Sequence, residues 1–258
     1  MKLSKTELSD FLNEKYYLYN SLKFIETDPI TIPHLFTRKE DIEIAGFLTA
    51  TIAWGQRVTI INNATKMIKL MGSNPHDFIM SAKEKDLKRF DTFVHRTFNG
   101  TDAVFFIKSL QHIYKKQGGL EQAFASNKKD EGLLSSIMNF RTVFFSLPSP
   151  ARTGKHVSNP SENSSAKRLC MYLRWMVRKD KRGVDFGIWK SASLTSRHLM
   201  CPLDVHSGNV ARKLGLLKRT QNDWKAVEEL TSNLRAFDAE DPVKYDFALF
   251  GLGVFEKF

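Results

Sequence analysis

Residues 41–72 read DIEIAGFLTATIAWGQRVTIINNATKMIKLMG, and their apolar side chains recur at intervals of three and four residues. This spacing predicts two amphipathic helices. The pattern is interrupted at Trp54-Gly55-Gln56, which predicts a short turn between the helices, and Gly72 predicts the end of the second. The stretch is therefore typical of a helix pair.

Helical spacing continues along most of the chain. Pro75-His76-Asp77 predicts the start of a third helix, because proline is common in the first turn. Thr101 and Asp102 predict the cap of another helix, which Gly118-Gly119 ends. Further helices are predicted over residues 134–145, 167–179, 205–214, 221–237 and 242–254. Few segments alternate with period two, so the predicted fold class is all-α.

Composition and charge limit the class of protein. The chain has 258 residues, enough for one large domain or two small ones. Its net charge of +11 indicates a polyanionic partner, most often nucleic acid, although an anionic membrane surface or a merely soluble basic surface gives the same charge. The sequence shows neither a signal peptide nor an apolar run of about 18 residues, so we expect a cytoplasmic protein that does not enter a membrane.

Two polar residues stand at predicted helix starts. Lys167 follows a loop rich in serine, proline and asparagine, and Asp204 directly precedes the helix predicted from residue 205. The positive end of a helix dipole disfavours an ammonium group, which favours the neutral amine that acts as a nucleophile. Taken singly, a solvated lysine and a plain helix N-cap are the simpler interpretations. A catalytic role for Lys167 and Asp204 becomes a hypothesis only if the two residues act as a pair.

The segments around both residues resemble a known superfamily. SSAKRLCMYLRW (residues 164–175) and PLDVHSGNVARKLGL (residues 202–216) are similar to the core of the helix-hairpin-helix DNA glycosylases, which include endonuclease III and the 8-oxoguanine DNA glycosylases. In that superfamily a lysine opens the helix after the hairpin, and an aspartate begins the following helix. The resemblance, which spans roughly residues 41–253, implies that Lys167 is the catalytic nucleophile and Asp204 the catalytic carboxylate.

The resemblance also implies a base pocket. DPVKYDFALFGLG (residues 241–253) is similar to the final helix of the archaeal 8-oxoguanine branch, in which Asp246 and Phe250 have the spacing of the pocket pair. Arg174 lies where that branch has a second basic residue. Gln56, in the turn of the first helix pair, is expected either to fill the gap left by a flipped base or to contact the base itself.

The hairpin departs from the superfamily pattern. The usual glycines before the lysine are absent, and Asn163-Ser164-Ser165-Ala166 stands in their place. Either the hairpin is degenerate, or the hydroxyls of Ser164 and Ser165 bind phosphate together with helix N–H groups. His206 and Arg212 are further candidate contacts to the DNA backbone. The chain has two cysteines, too few for an iron–sulfur cluster, and we expect neither a cofactor nor a metal.

The resemblance sets the expected architecture and function. Residues 1–258 would form a single glycosylase-like unit of two helical lobes with a DNA-binding cleft between them: one lobe of residues 41–145, the other of 1–40 plus 146–258. We expect a monomeric, bifunctional DNA glycosylase and AP lyase that removes an oxidised base, 8-oxoguanine being favoured, from double-stranded DNA. The alternatives are a catalytically inactive helix-hairpin-helix protein that binds damaged or bent DNA, and an RNA-binding or scaffold protein.

Overall fold

The computed structural model describes residues 3–125, 132–191 and 193–258, and helices dominate this part of the chain. The all-α prediction is confirmed, and the β-structure seen there is a hairpin of two-residue strands. The helices are α1 Lys5–Tyr19, α2 Leu22–Thr27, α3 Lys39–Thr51, α4 Arg57–Leu70, α5 Pro75–Ser81, α6 Glu84–Leu87, α7 Gly100–Lys116, α8 Leu120–Phe124, α9 Gly132–Phe144, α10 Lys167–Val177, α11 Val205–Lys213, α12 Trp224–Arg235 and α13 Asp246–Val254. The antiparallel strands are β1 Val94–His95 and β2 Phe98–Asn99.

Short 3-10 turns link several of these helices. They comprise Pro29–Thr31, Pro33–Leu35, Lys88–Phe90, Ala151–His156, Pro160–Glu162, Ser196–His198 and Pro242–Tyr245. The helix predicted over residues 242–254 therefore begins as a 3-10 turn and becomes α-helical at Asp246. Within the described residues, the helices are too short or too polar to cross a bilayer.

The N-cap of α7 lies two residues before Thr101, and of the two predicted residues only Asp102 takes part in the capping. The helix begins at Gly100 and is capped by Asn99, whose side chain accepts a hydrogen bond from the Asp102 N–H. Asp102 lies in the first turn of the helix, and its carboxylate accepts a hydrogen bond from the Asn99 N–H at 3.0 Å. Asparagine and aspartate thus form a reciprocal capping pair, and Thr101 takes no part in it.

The described chain divides into two compact units. The first, here the terminal unit, comprises residues 3–24, 132–134 and 159–258 with a gap at 192. In it α1 packs along α13, which also packs against α11. Tyr19 of α1 stacks on Phe255 with ring centroids 5.5 Å apart, and Phe24 meets Phe247 edge to face at 5.3 Å.

The packing of α1 on α13 depends on a glycine. A Cβ added at Gly251 would lie 2.1–2.4 Å from the ring of Tyr19, so only a residue without a side chain fits there. We expect Gly251→Ala to lower the free energy of unfolding by about 2 kcal/mol, because overpacking outweighs the better helix propensity of alanine. Urea unfolding measures the effect. Gly154→Ala is the matched control, since nothing lies within 4 Å of its added Cβ; an equal loss in both variants would contradict the packing argument.

The second compact unit, here the central unit, comprises residues 25–125 and 135–158. Its core is aromatic: the ring of Phe47 in α3 lies 5.3–5.8 Å from those of Phe106, Phe140 and Phe144. Residues 25–40 belong here because the two turns between α2 and α3 pack on α3. The unit bounds thus differ from the predicted lobe bounds at residues 25–40, 132–134 and 146–158.

Candidate active site

The chain enters α10 through a tight turn without glycine. After the turn Pro160–Glu162, Asn163 and Ala166 both adopt left-handed backbone conformations, with φ of 63° and 47°. A non-glycine residue costs roughly 1–2 kcal/mol in this region, although asparagine tolerates it better than alanine. The Ser164 hydroxyl accepts a hydrogen bond from the Ala166 N–H at 3.2 Å, which stabilises the turn. Ser164 and Ser165 are half-buried there, and their phosphate contacts remain a prediction.

This turn places Lys167 at the first position of α10, opposite Asp204. The Lys167 Nζ lies 3.0 Å from the Asp204 Oδ2, and the two side chains keep 30% and 21% of their surface exposed. Both are therefore accessible to a bound molecule. The structure thus joins in one ion pair two residues that lie at the starts of two different helices.

Asp204 is held rigidly as the N-cap of α11. Its Oδ1 accepts a hydrogen bond from the Ser207 N–H at 3.0 Å, and its own N–H donates to the Ser207 hydroxyl at 3.0 Å. Behind it, the Asn222 Nδ2 donates to the Asp204 carbonyl at 3.1 Å. The helix-cap interpretation is confirmed, and the other carboxylate oxygen remains available to Lys167.

The surroundings keep Asp204 ionised. Burial raises the pKa of its carboxyl group, but the Lys167 ammonium and the hydrogen bond from Ser207 outweigh burial, so the pKa lies below its ordinary value. Asp204 is therefore an anion at neutral pH. A fixed anion at this position can stabilise positive charge that develops on a bound substrate.

Two of the predicted base-pocket residues form a buried ion pair. The Arg174 Nη1 donates to the Asp246 carboxylate, and the Arg174 Nε donates to Asp185 at 3.2 Å. The guanidinium also lies 4.3 Å from the ring centroid of Phe247. Arg174 and Asp246 thus tie α10 to α13 in the structure. Phe250 is half-buried on α13, with its ring 5.8 Å from that of Phe24.

Asp246 makes stability depend on pH. Burial raises the pKa of its carboxyl group from 3.8 to about 6, although the Arg174 guanidinium opposes the rise. The folded protein then holds this proton more tightly than the unfolded chain, so the contribution of Asp246 to stability falls as the pH rises from about 4 to about 6, by at most about 3 kcal/mol.

Asp246→Asn removes this titration and keeps an acceptor for Arg174. We therefore expect the stability of Asp246→Asn relative to wild type to increase as the pH rises from about 4 to about 6. Urea unfolding of both proteins at several pH values measures the difference. A difference that does not change with pH would contradict the assigned titration.

Sequence reasoning missed a second arginine behind the site. Arg178 is fully buried, and its guanidinium donates to Asp180, Asp185 and Asp241 at 2.6–3.0 Å. It also donates to the Tyr16 hydroxyl at 3.1 Å. Burial alone would lower the pKa of Arg178, but the carboxylates, Asp185 foremost, raise it above its ordinary value. The available signal was the spacing of Arg174 and Arg178, which lie four residues apart in the last turn of α10 and at its C-cap.

The remaining predicted contacts are spread over both units. His206 is exposed in the first turn of α11. Arg212 has a structural role, since its Nε donates to the Arg219 carbonyl at 2.8 Å and its Nη2 to Asn222 at 2.6 Å. Gln56 belongs to the central unit, where it is the exposed N-cap residue of α4 and makes no side-chain capping bond.

The fold and the site define an all-α protein with a partly exposed lysine–aspartate pair at two helix N-termini. The chain belongs to the family described as "Protein of unknown function (DUF2400)", whose model matches residues 28–255. No curated protein and no solved structure matches the chain.

Proposed function

We propose that the chain is a DNA glycosylase of the helix-hairpin-helix type with associated AP lyase activity. The observation that carries this proposal is the 3.0 Å ion pair between the Lys167 Nζ and the Asp204 Oδ2, both of which remain partly exposed. The net charge of +11 supports a polyanionic substrate. The two-lobed architecture with a DNA cleft is part of the proposal and comes from the superfamily resemblance.

The chemistry requires the damaged nucleotide to leave the duplex, so that its sugar can reach Lys167. The Lys167 ammonium loses a proton to water, and the neutral amine attacks C1′ of the deoxyribose. The bond between C1′ and the base breaks, and the base leaves with its electron pair and takes up a proton from water. The Asp204 carboxylate stabilises the positive charge that develops on the sugar and helps to activate the lysine. Ring opening then gives a Schiff base between Lys167 and C1′, and β-elimination cleaves the strand 3′ to the lesion.

The substrate is proposed to be an oxidised base, with 8-oxoguanine favoured. This preference comes from the archaeal branch of the superfamily, to which Arg174, Asp246 and Phe250 correspond in position. Oxidised pyrimidines are the main alternative, because endonuclease III shares the lysine–aspartate core.

A panel of duplex oligonucleotides tests the proposal. Each carries one lesion: 8-oxoguanine, an oxidised pyrimidine or an abasic site. Purified protein is incubated with each duplex in the presence of borohydride, which reduces a Schiff base to a stable covalent adduct. We expect an adduct and strand cleavage with 8-oxoguanine and with the abasic site. Tight binding to damaged duplexes without adduct or cleavage would instead support the catalytically inactive DNA-binding protein.

A further inference from the structure

A cavity with a basic rim lies in the central unit. It has a volume of about 470 Å³ and is formed by α7, residues 82–87 and Leu147. This volume falls within the usual range for small-molecule sites. Its apolar lining consists of Leu147, which is half-buried, and of Leu87 and Ile107, which are buried beneath the surface. The rim is formed by Lys83, Lys108, His112, Lys115 and Lys116.

Glu84 is the one acidic residue that lines the cavity, and three of the four rim lysines form no ion pair with a described residue. Lys108 pairs with Glu84, its Nζ lying 2.8 Å from the carboxylate. Among the described residues, Lys83, Lys115 and Lys116 form no ion pair. Like charges around one concavity raise its positive potential, and an anion that neutralises them is bound favourably.

The helix dipole explains only part of this arrangement. Lys115 and Lys116 lie in the last turn of α7, where cations are stabilised by the negative end of the helix. Lys83 comes from a different element, the residue before α6, yet it borders the same cavity. Cations from separate elements beside an apolar surface match a ligand that combines phosphates with an apolar group.

We propose that this cavity binds a nucleotide with two or more phosphates. Three ammonium groups that form no ion pair with a described residue suit the charge of a di- or triphosphate, and the half-buried Leu147 side chain contacts the nucleoside. A contact to the DNA backbone is the competing interpretation. The cavity favours the nucleotide, because a phosphate backbone would use the lysines and leave the apolar side chains without a role.

Calorimetric titration of the full chain with ADP and with inorganic pyrophosphate tests the proposal. We expect both to bind, with pyrophosphate the weaker ligand. The double variant Lys115→Gln/Lys116→Gln should weaken both by at least about tenfold. The matched control is Lys85→Gln/Lys88→Gln, which removes the same charge from exposed lysines of the same unit that do not border the cavity. The affinity of this control variant for ADP and for pyrophosphate should stay within about twofold of wild type.

A second variant separates the two parts of the site. Leu147→Ser should weaken ADP several-fold and leave pyrophosphate unchanged, because only the nucleoside meets the apolar surface. Three results would overturn the proposal: no ADP binding by wild type at about millimolar concentration, an equal loss in the two lysine variants, or an equal effect of Leu147→Ser on both ligands. Loss of duplex-DNA affinity in Lys115→Gln/Lys116→Gln, without ADP binding to wild type, would identify a DNA backbone contact instead. Each of these results is independent of glycosylase activity.

Discussion

Replacing Lys167 with glutamine is expected to abolish the borohydride-trapped adduct and to lower strand cleavage at least about 1,000-fold. Glutamine has a similar length but no nucleophilic amine, so no Schiff base can form with C1′. Because the Lys167 side chain is partly exposed, the substitution should leave the fold intact. Gel analysis of the adduct on the 8-oxoguanine and abasic-site duplexes measures the loss.

Two further variants make this result specific. Lys225→Gln removes the same charge from an exposed position on α12 and should retain the full adduct. Asp204→Asn keeps a cap for α11 but removes the anion beside Lys167, so adduct formation should slow by about 100-fold or more. An undiminished adduct in Lys167→Gln would refute the assignment of the nucleophile. An equal loss in Lys225→Gln would show that the effect reflects general DNA binding.

Replacing Arg178 with methionine is expected to lower the free energy of unfolding by about 4 kcal/mol, because breaking a buried ion pair leaves uncompensated charge behind. Arg178 is the buried cation between Asp180, Asp185 and Asp241, and methionine fills the space without neutralising them. The contact with the Tyr16 hydroxyl in α1 is lost as well. Urea unfolding at neutral pH measures the change.

Lys179→Met is the control for Arg178→Met. Lys179 is the next residue in the chain and is exposed, so its replacement should change the unfolding free energy by less than about 0.5 kcal/mol. A decrease in the unfolding free energy of Arg178→Met much smaller than about 4 kcal/mol would contradict the prediction. It would show that the three carboxylates are compensated by protonation or by bound water when Arg178 is absent. In that case stability of the variant would rise at acidic pH, where the carboxylates become neutral.

Helix positions were predictable wherever apolar spacing was regular. The turn at Trp54-Gly55-Gln56 separates α3 from α4 as predicted. This boundary was predictable because the regular apolar spacing of two long helices is interrupted there. The hairpin of β1 and β2 was missed, since strands of two residues are too short to show alternation. The role of Arg178 was missed for another reason: its partner Asp241 lies far away in sequence, and only the tertiary fold brings the two together.

The candidate site was predictable as a pair of residues but not as a geometry. Lys167 and Asp204 were selected by resemblance, and the structure places their charged atoms 3.0 Å apart. The left-handed conformation of Ala166 was not foreseeable, because alanine rarely adopts it outside a folded context. Arg212 was expected to meet DNA, yet two of its donors are used to hold residues 219–222 behind Asp204.

The discontinuity of the terminal unit has a consequence for synthesis. Helix α1 leaves the ribosome early, but its packing partner α13 begins only at Asp246. At about 5–20 residues per second, α1 must wait roughly 10–45 s for that partner. During this time its apolar face is uncovered, whereas the central unit already has its complete sequence. Nascent chains should therefore acquire protease resistance in two stages, with α1 protected last.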